Sequence, residues 1–300
     1  MNHSTNSFVI LITALTFCLG ANARVHDYET TRLKSTGGAG VAAILLDESA
    51  VLNPAPIAFY NQSSLYLQKV NAEYNEADNY NTADFSENDD IKSVIVSDAK
   101  GSLKGSLAYH NQQEGADRRE RISASIARPF NKTSSLGLNV RRSKDINNIN
   151  GLLEEEVYYQ GNIGVLHSAS DNFTIGAVLF DALKEVREDN KFRLGVQYVY
   201  KKLITVMLDG GSDYNQDLSE RAFYAGAVQL NVFKDFYARV GTFRDNYLKE
   251  KGNGIGVSWV SPKMNFELAF KNTNPYGESS SSIQYVSKVR ETAFSLAYLF

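Results

Sequence analysis

From residue 63 onward the chain alternates apolar and polar positions in blocks of about 8 to 12 residues, and no helical period persists. Met264, Phe266, Leu268 and Phe270 stand against Asn265, Glu267 and Lys271, and Phe192, Leu194, Val196, Tyr198 and Tyr200 stand against Arg193 and Gln197. Successive side chains of a strand point to opposite faces, so each block predicts a strand with one greasy and one polar face. The same reading holds for Leu103, Leu107 and Tyr109, for Leu136, Leu138 and Val140, for Val157, Tyr159, Ile163 and Val165, and for Ile255, Val257 and Trp259.

The connections alternate as strictly as the faces. Tight ones fall at 98–101, 129–133, 169–172, 201–202, 233–235 and 261–263. Longer, more charged ones fall at 75–90, 112–120, 144–155, 182–191, 212–219, 245–251 and 273–282. Six tight and seven long connections join fourteen strands, the layout of an all-β, antiparallel transmembrane barrel whose ends share one side. A soluble two-sheet sandwich has similar strands but no need for that asymmetry. All five prolines lie in the N-terminal segment or in connections, where a missing N–H breaks no ladder.

The ends agree with an exported barrel. Phe8 to Leu19 is apolar but for two threonines and leads to Ala21-Asn22-Ala23, so residues 1–23 read as a signal peptide and the mature chain as starting at Arg24. The single cysteine, Cys18, lies inside that run, leaving no disulfide or thiolate metal site for the fold. Phe294, Leu296, Tyr298 and Phe300 form an aromatic-rich face that resembles the C-terminal insertion signal of bacterial outer-membrane barrels.

Residues 24–62 have a different texture. Thr36-Gly37-Gly38-Ala39-Gly40-Val41-Ala42-Ala43 is followed by Asp47 and then by Asn53-Pro54-Ala55. The glycines permit tight turns against a wall, Ala42 to Leu46 suits a short helix or buried strand, and Asn53 before Pro54 favours an extended or turn conformation. This pattern resembles the opening of the FadL-type outer-membrane transporters of long-chain fatty acids and other hydrophobic compounds. The resemblance implies a fourteen-stranded barrel, residues 63–300, with Gly37 to Tyr60 folded inside the lumen as a hatch. It also implies hatch or gating roles for Gly37, Gly38, Gly40, Asp47, Asn53, Pro54 and Ala55, with Asn53 to Ala55 as the moving part. The recognisable motif covers about 20 residues, and the acidic stretch 75–90 makes a poor greasy groove for a fatty acid.

Composition narrows function further. A net charge of -3 removes the basic excess of a nucleic-acid binder, and no stretch past the N-terminus reaches the roughly 18 apolar residues of a spanning helix. His26, His110 and His167 carry no catalytic motif, and His110 reads as a solvated residue at a loop margin. Glu154-Glu155-Glu156 reads as a solvated loop end, because consecutive carboxylates on a strand diverge. Gly252-Asn253-Gly254-Ile255-Gly256 enters a strand instead of a helix, so it reads as small residues at a barrel wall. We therefore expect no enzyme activity, no cofactor and no metal. The polar faces assign Lys104, Asn139, Arg141, Gln160, Asn162, Arg193, Gln197, Gln229, Arg239, Glu267 and Lys271 to the lumen. The expected partners are outer-membrane lipid, the barrel-insertion machinery and a hydrophobic or amphipathic small molecule. Alternatives are a non-transporting barrel that docks a partner and a general porin favouring small anions.

Overall fold

The computed structural model describes residues 27–75, 88–114, 117–149, 152–184, 191–213, 220–276 and 288–300. The proposed signal peptide and most of the acidic stretch 75–90 lie outside them. The described chain runs through a short helix, α1 (Thr31–Ser35), and two 3-10 turns, Asp47–Ala50 and Ala55–Phe59, before the strands begin. These are β1 (Ser63–Asn75), β2 (Asn88–Asp98), β3 (Lys104–Glu114), β4 (Asp117–Pro129), β5 (Ser134–Ile149), β6 (Leu152–Ser170) and β7 (Phe173–Leu179). They continue as β8 (Lys191–Tyr200), β9 (Ile204–Asp213), β10 (Phe223–Phe233), β11 (Phe236–Asp245), β12 (Glu250–Val260), β13 (Met264–Pro275) and β14 (Lys288–Leu299).

Each strand pairs antiparallel with its sequence neighbours, and β1 pairs with β14, so the sheet closes into a fourteen-stranded barrel without an edge. At the seam Ser64 lies opposite Leu299 and Asn75 opposite Lys288. Register follows from the two-faced pattern, since a one-residue slip would turn a whole strand inside out. The outward positions are the apolar ones read from the sequence: Leu67, Val94, Leu107, Ile122, Val140, Ile163, Leu194, Leu208, Val240, Ile255, Phe270 and Phe294 are all exposed. In water so continuous an apolar wall would aggregate, whereas in lipid it matches its solvent.

Two long connections expected from charge are strand instead. Residues 112–120 and 144–155 lie largely in the β3–β4 and β5–β6 hairpins, with only 115–116 and 150–151 between the ladders. Their charges ride on paired backbone beyond the apolar band, where side chains meet water and charge no longer signals a loop. Glu154, Glu155 and Glu156 accordingly sit on β6, opposite Asn147, Ile146 and Asp145. Ala42 to Leu46, expected as helix or strand, is irregular chain, and the helical turns flank it.

The segment from Asp27 to Tyr60 lies inside the barrel. Leu33, Val41, Leu52, Ala55 and Ile57 are buried there against inward side chains such as Val178, Leu166 and Ala127. The protein thus has two apolar regions, an outer wall and the packing around an inner hatch, separated by one layer of sheet.

Candidate functional site

The hatch begins with a capped turn. Thr30 Oγ1 accepts the Leu33 N–H at 3.2 Å, and the helix ends where Gly37 and Gly38 take φ of 63° and 81°. Gly38 N–H returns to Leu33 O at 2.8 Å, a left-handed C-terminal cap that glycine adopts without steric cost.

Seen from this helix, one wall of the lumen is made of glycine. Gly137 pairs with Gly164 across β5–β6, Gly176 with Gly195 across β7–β8, and Gly241 with Gly254 across β11–β12. Hatch backbone lies directly on them: Lys34 on Gly254, Thr36 on Gly241, Val41 on Gly176 and Pro54 on Gly137. A methyl group at Gly254 or Gly176 would fall inside the van der Waals envelope of a hatch carbonyl oxygen. Charge and amide bonds complete the attachment. Asp209 accepts from Gly40 N at 2.8 Å and Val41 N at 3.0 Å, Lys34 pairs with Glu291 at 2.5 Å, and Lys271 pairs with Glu29 at 2.6 Å. Asn53 works as a staple: Nδ2 donates to Val41 O at 2.8 Å and to Val165 O at 3.2 Å, while Oδ1 accepts from Ala55 N at 3.0 Å.

The wall from β1 to β6 is different. Ser64, Ser97, Ser106, Ser125, Asn139 and Asn162 are consecutive cross-strand partners, a buried row of small polar side chains spanning six strands. Against this row sits the 3-10 turn Asp47–Ala50, held by long contacts: Ser49 Oγ to Ser106 Oγ at 3.4 Å, Ser125 Oγ to Ser49 O at 3.2 Å, and Ser123 Oγ and Asn139 Nδ2 to Ala50 O, each at 3.4 Å. Such lengths lie at the weak end of hydrogen bonding. The shorter ties lie at its two ends, Ser64 Oγ to Asp47 Oδ1 at 2.7 Å at the start and Arg141 Nη2 to Val51 O at 2.6 Å just past the last residue, and Thr30 Oγ1 donates to Glu48 Oε1 at 3.1 Å. Burial raises the Asp47 carboxyl to about 6 and that of Glu48 to about 7.

This turn stands between two cavities. Toward the loop end lies one of about 70 Å³, lined by Tyr28, Val51, Leu52, His110, Arg121, Arg141, Phe180 and Arg193 among others. Toward the tight-turn end lies one of about 320 Å³, whose lining includes Leu46, Asp47, Glu48, Tyr60, Tyr66, Tyr237, Arg239 and Glu267. Ala50 and Val51 face the first, and Asp47 and Glu48 face the second.

Among the described residues the wall beside the upper cavity is incompletely laddered. β6 has 19 residues and β7 has 7, and their pairing reaches only from Ser170 to Ile163. Beyond it Asp181 N–H turns inward to Asn162 Oδ1 at 2.9 Å, and Ala182 N–H bonds Gly161 O at 2.6 Å.

The sequence-derived lumen residues divide between these places. Arg141, with Asn139, Gln160 and Asn162, is at the upper cavity or the polar row, Arg141 donating to Val51 O at 2.6 Å. Arg193 lies at the same cavity with its guanidinium 3.9 Å from the centre of the Phe223 ring. Arg239 pairs with Glu267 at 3.0 Å in the lower cavity, Lys271 holds Glu29, and Lys104 donates to Tyr60 O. Gly37, Gly38, Gly40, Asp47, Asn53, Pro54 and Ala55 all lie in the hatch, with Asn53 and Pro54 against the glycine wall and Asp47 on the polar one. His110 corrects the sequence reading: it is fully buried and its ring stacks on Tyr28 at 3.9 Å. It lies mid-strand on an inward position, and Tyr109 beside it faces outward. The sequence reading missed Tyr28, Asp209 and the serine row. Alternation marked the serines as inward, but nothing local marked them as neighbours.

No family model matches this sequence, and no curated protein matches it. Solved structures do. The Ralstonia pickettii toluene transporter TbuX superposes with a TM-score of 0.71 at 9% identity, covering 91% of this chain and 98% of that one. The Pseudomonas putida toluene transporter TodX gives 0.64 at 11% identity over 93% and 99%. A Pseudomonas aeruginosa FadL homologue gives 0.60 at 11% identity over 93% and 99%. The chain therefore has the fold of the FadL-type outer-membrane barrels, with 9 to 11% of residues identical to these three.

Proposed function

We propose that this barrel sits in the bacterial outer membrane and lets a compact hydrophobic or amphipathic molecule cross passively. The observation that carries the reading is the pair of cavities on either side of a loosely seated hatch turn. Two of the similar structures are described as toluene transporters, which fits the size of the lower cavity: about 320 Å³, at the small end of ligand pockets. The substrate enters at the upper cavity, where the short β7 interrupts the wall and Phe180 offers an aromatic face. It passes to the lower cavity when Asp47–Ala50 leaves the serine row. Asn53 to Ala55, the moving part on sequence grounds, serves in this reading as the anchor about which that turn swings.

A reversible cross-link tests this. In a Cys18→Ala background the chain contains no other cysteine, so Ser49→Cys with Ser106→Cys creates one pair whose parent hydroxyl oxygens are 3.4 Å apart. In liposomes the oxidised pair is expected to stop uptake of a small aromatic hydrocarbon, and reduction to restore it. Uptake unaffected by oxidation would remove the turn as gate. No uptake by the unmodified chain, together with conductance that appears only on deleting residues 24–60, would favour a plugged barrel whose work lies in its surface.

A further inference from the structure

The lipid-facing wall carries an arrangement that lumen transport does not use. Lys69 and Lys92 are directly opposed across β1–β2, and Arg244 and Lys251 across β11–β12, all four pointing outward. Like charges at opposed positions of an antiparallel pair destabilise it. Arg290 and Lys288 on β14 lie between the two pairs and also face outward. On each strand these cations come just beyond the apolar stretch toward the loop end: Lys69 after Leu65 and Leu67, Lys92 before Val94 and Val96, Lys251 before Ile255 and Val257.

The distribution is one-sided. Strands β7 to β10 present no outward cation among the described residues and stay apolar through Leu194, Leu208 and Tyr224. On β4 and β5 Arg118 is paired with Glu120 at 2.7 Å and Lys144 with Glu155 at 2.8 Å, while Arg128 and Arg142 are also outward and stand opposite no like charge. At the loop end of the arc from β11 through β14 to β2, six cations meet two outward carboxylates among the described residues: Asp90, 2.7 Å from Lys92, and Glu73, opposite Arg290. Lys69 and Lys251 have no partner among the described residues. A general interfacial girdle would surround the barrel. It is on this arc that outward cations stand directly opposed, with Asp90 beside Lys92 and Asn246 beside Arg244 answering one cation of each pair.

We propose that the arc β11–β14–β1–β2 is a binding surface for phosphate-bearing lipid headgroups of the leaflet on the loop side, one phosphate bridging Lys69 and Lys92 and another bridging Arg244 and Lys251. Phosphate supplies the missing charge and accepts several charge-assisted hydrogen bonds at once, and the apolar side chains beneath it supply the contact for acyl chains. The proposal rests on the membrane location argued above but not on transport.

The test compares thermal unfolding of the full chain and of the variant K69Q/K92Q/R244Q/K251Q in phosphatidylcholine vesicles doped with bis-phosphorylated lipid A, with dephosphorylated lipid A, or with neither. The parent chain is expected to gain several degrees from the phosphorylated lipid alone, and the variant to bind that lipid at least about tenfold more weakly. Without phosphorylated lipid the variant is expected to melt at the same temperature as the parent or higher, because the opposed charges are gone. An equal gain in both chains, a gain from the dephosphorylated lipid, or an equal gain from inorganic phosphate overturns the proposal. Hydrocarbon uptake by both chains separates the readings: its absence beside a preserved lipid response sinks transport alone, whereas a parent chain that fails to float with vesicles sinks both.

Discussion

The two walls of the lumen hold the same hatch by opposite means. On the glycine wall, from β5 to β12, side chains are absent so that backbone can lie on backbone, and contact is dry and specific to one position. On the serine wall, from β1 to β6, side chains are present but short, and Ser106, Ser123 and Ser125 reach the turn Asp47–Ala50 through hydroxyls at 3.2 to 3.4 Å, Ser64 alone closing to 2.7 Å. A close backbone contact has no substitute, because the space it fills fits nothing else. A long hydroxyl contact exchanges for water at little cost, since water offers the same partners. Firm and loose attachment are thus written into the lumen by which small residue each wall uses.

The strongest way to break this contrast is to put side chains on the glycine wall. Gly254→Val with Gly176→Val should each cost about 2 kcal/mol or more by overpacking, driving the hatch off that wall and raising single-channel conductance at least about tenfold. Unchanged conductance and melting would mean the hatch backbone does not rest there. Next comes the staple. Asn53→Ala removes three hydrogen bonds, one of them to the buried Val41 carbonyl, an expected loss of about 2–3 kcal/mol, read as faster hydrogen exchange at Gly40 to Ala55. Exchange confined to Asp47–Ala50 would show that the staple does not anchor the segment.

Ser106→Ala with Ser125→Ala should be milder, about 1–2 kcal/mol, and should raise the open fraction of the gate while leaving the melting of the barrel almost unchanged. An equal fall in both would erase the distinction between the walls. The smallest expected effect is that of pH. Asp47 and Glu48 belong to the hatch and face Arg32, Arg239, Glu267 and Tyr60 around the lower cavity. Their seated-state values are raised, so the seated turn binds protons more readily than a released one. Seating is strongest below the ordinary carboxylate range and weakens as pH rises toward about 7. Conductance at pH 8 should therefore exceed that at pH 5, and the reverse order would contradict the assignment.

Much of this architecture is legible from alternation. The outward faces of Phe192 to Tyr200 and Met264 to Phe270, the tight turns and the closure into fourteen strands follow from period two and from where charge interrupts it. The same rule misplaced 112–120 and 144–155, because paired strands that project beyond lipid need no apolar side chains and look like loops. It also made His110 a solvated residue, although its inward position on β3 places it against Tyr28, which lies 82 residues earlier in the chain. The site was less legible than the fold. Gly176 and Gly254 carry no hydropathy signal, and their meaning comes from what lies across the lumen. Asp209 reads as one more polar strand residue until Gly40 and Val41 are found against it.

The seam described at the outset sets an order of assembly. Ser64 meets Leu299 there, so the ladder that removes the last free edge joins the two ends of the strand sequence and is the least local contact in the barrel. The hatch immediately precedes β1, one lip of that seam, and ends up enclosed. Once the seam zips, the sheet leaves the hatch no sideways path and only the barrel ends as an entrance, so the direct order lays it in the curved sheet first, like a thread laid in a cuff before the button is fastened. The glycine wall, carried mainly by strands far from the seam, is the surface on which it could wait.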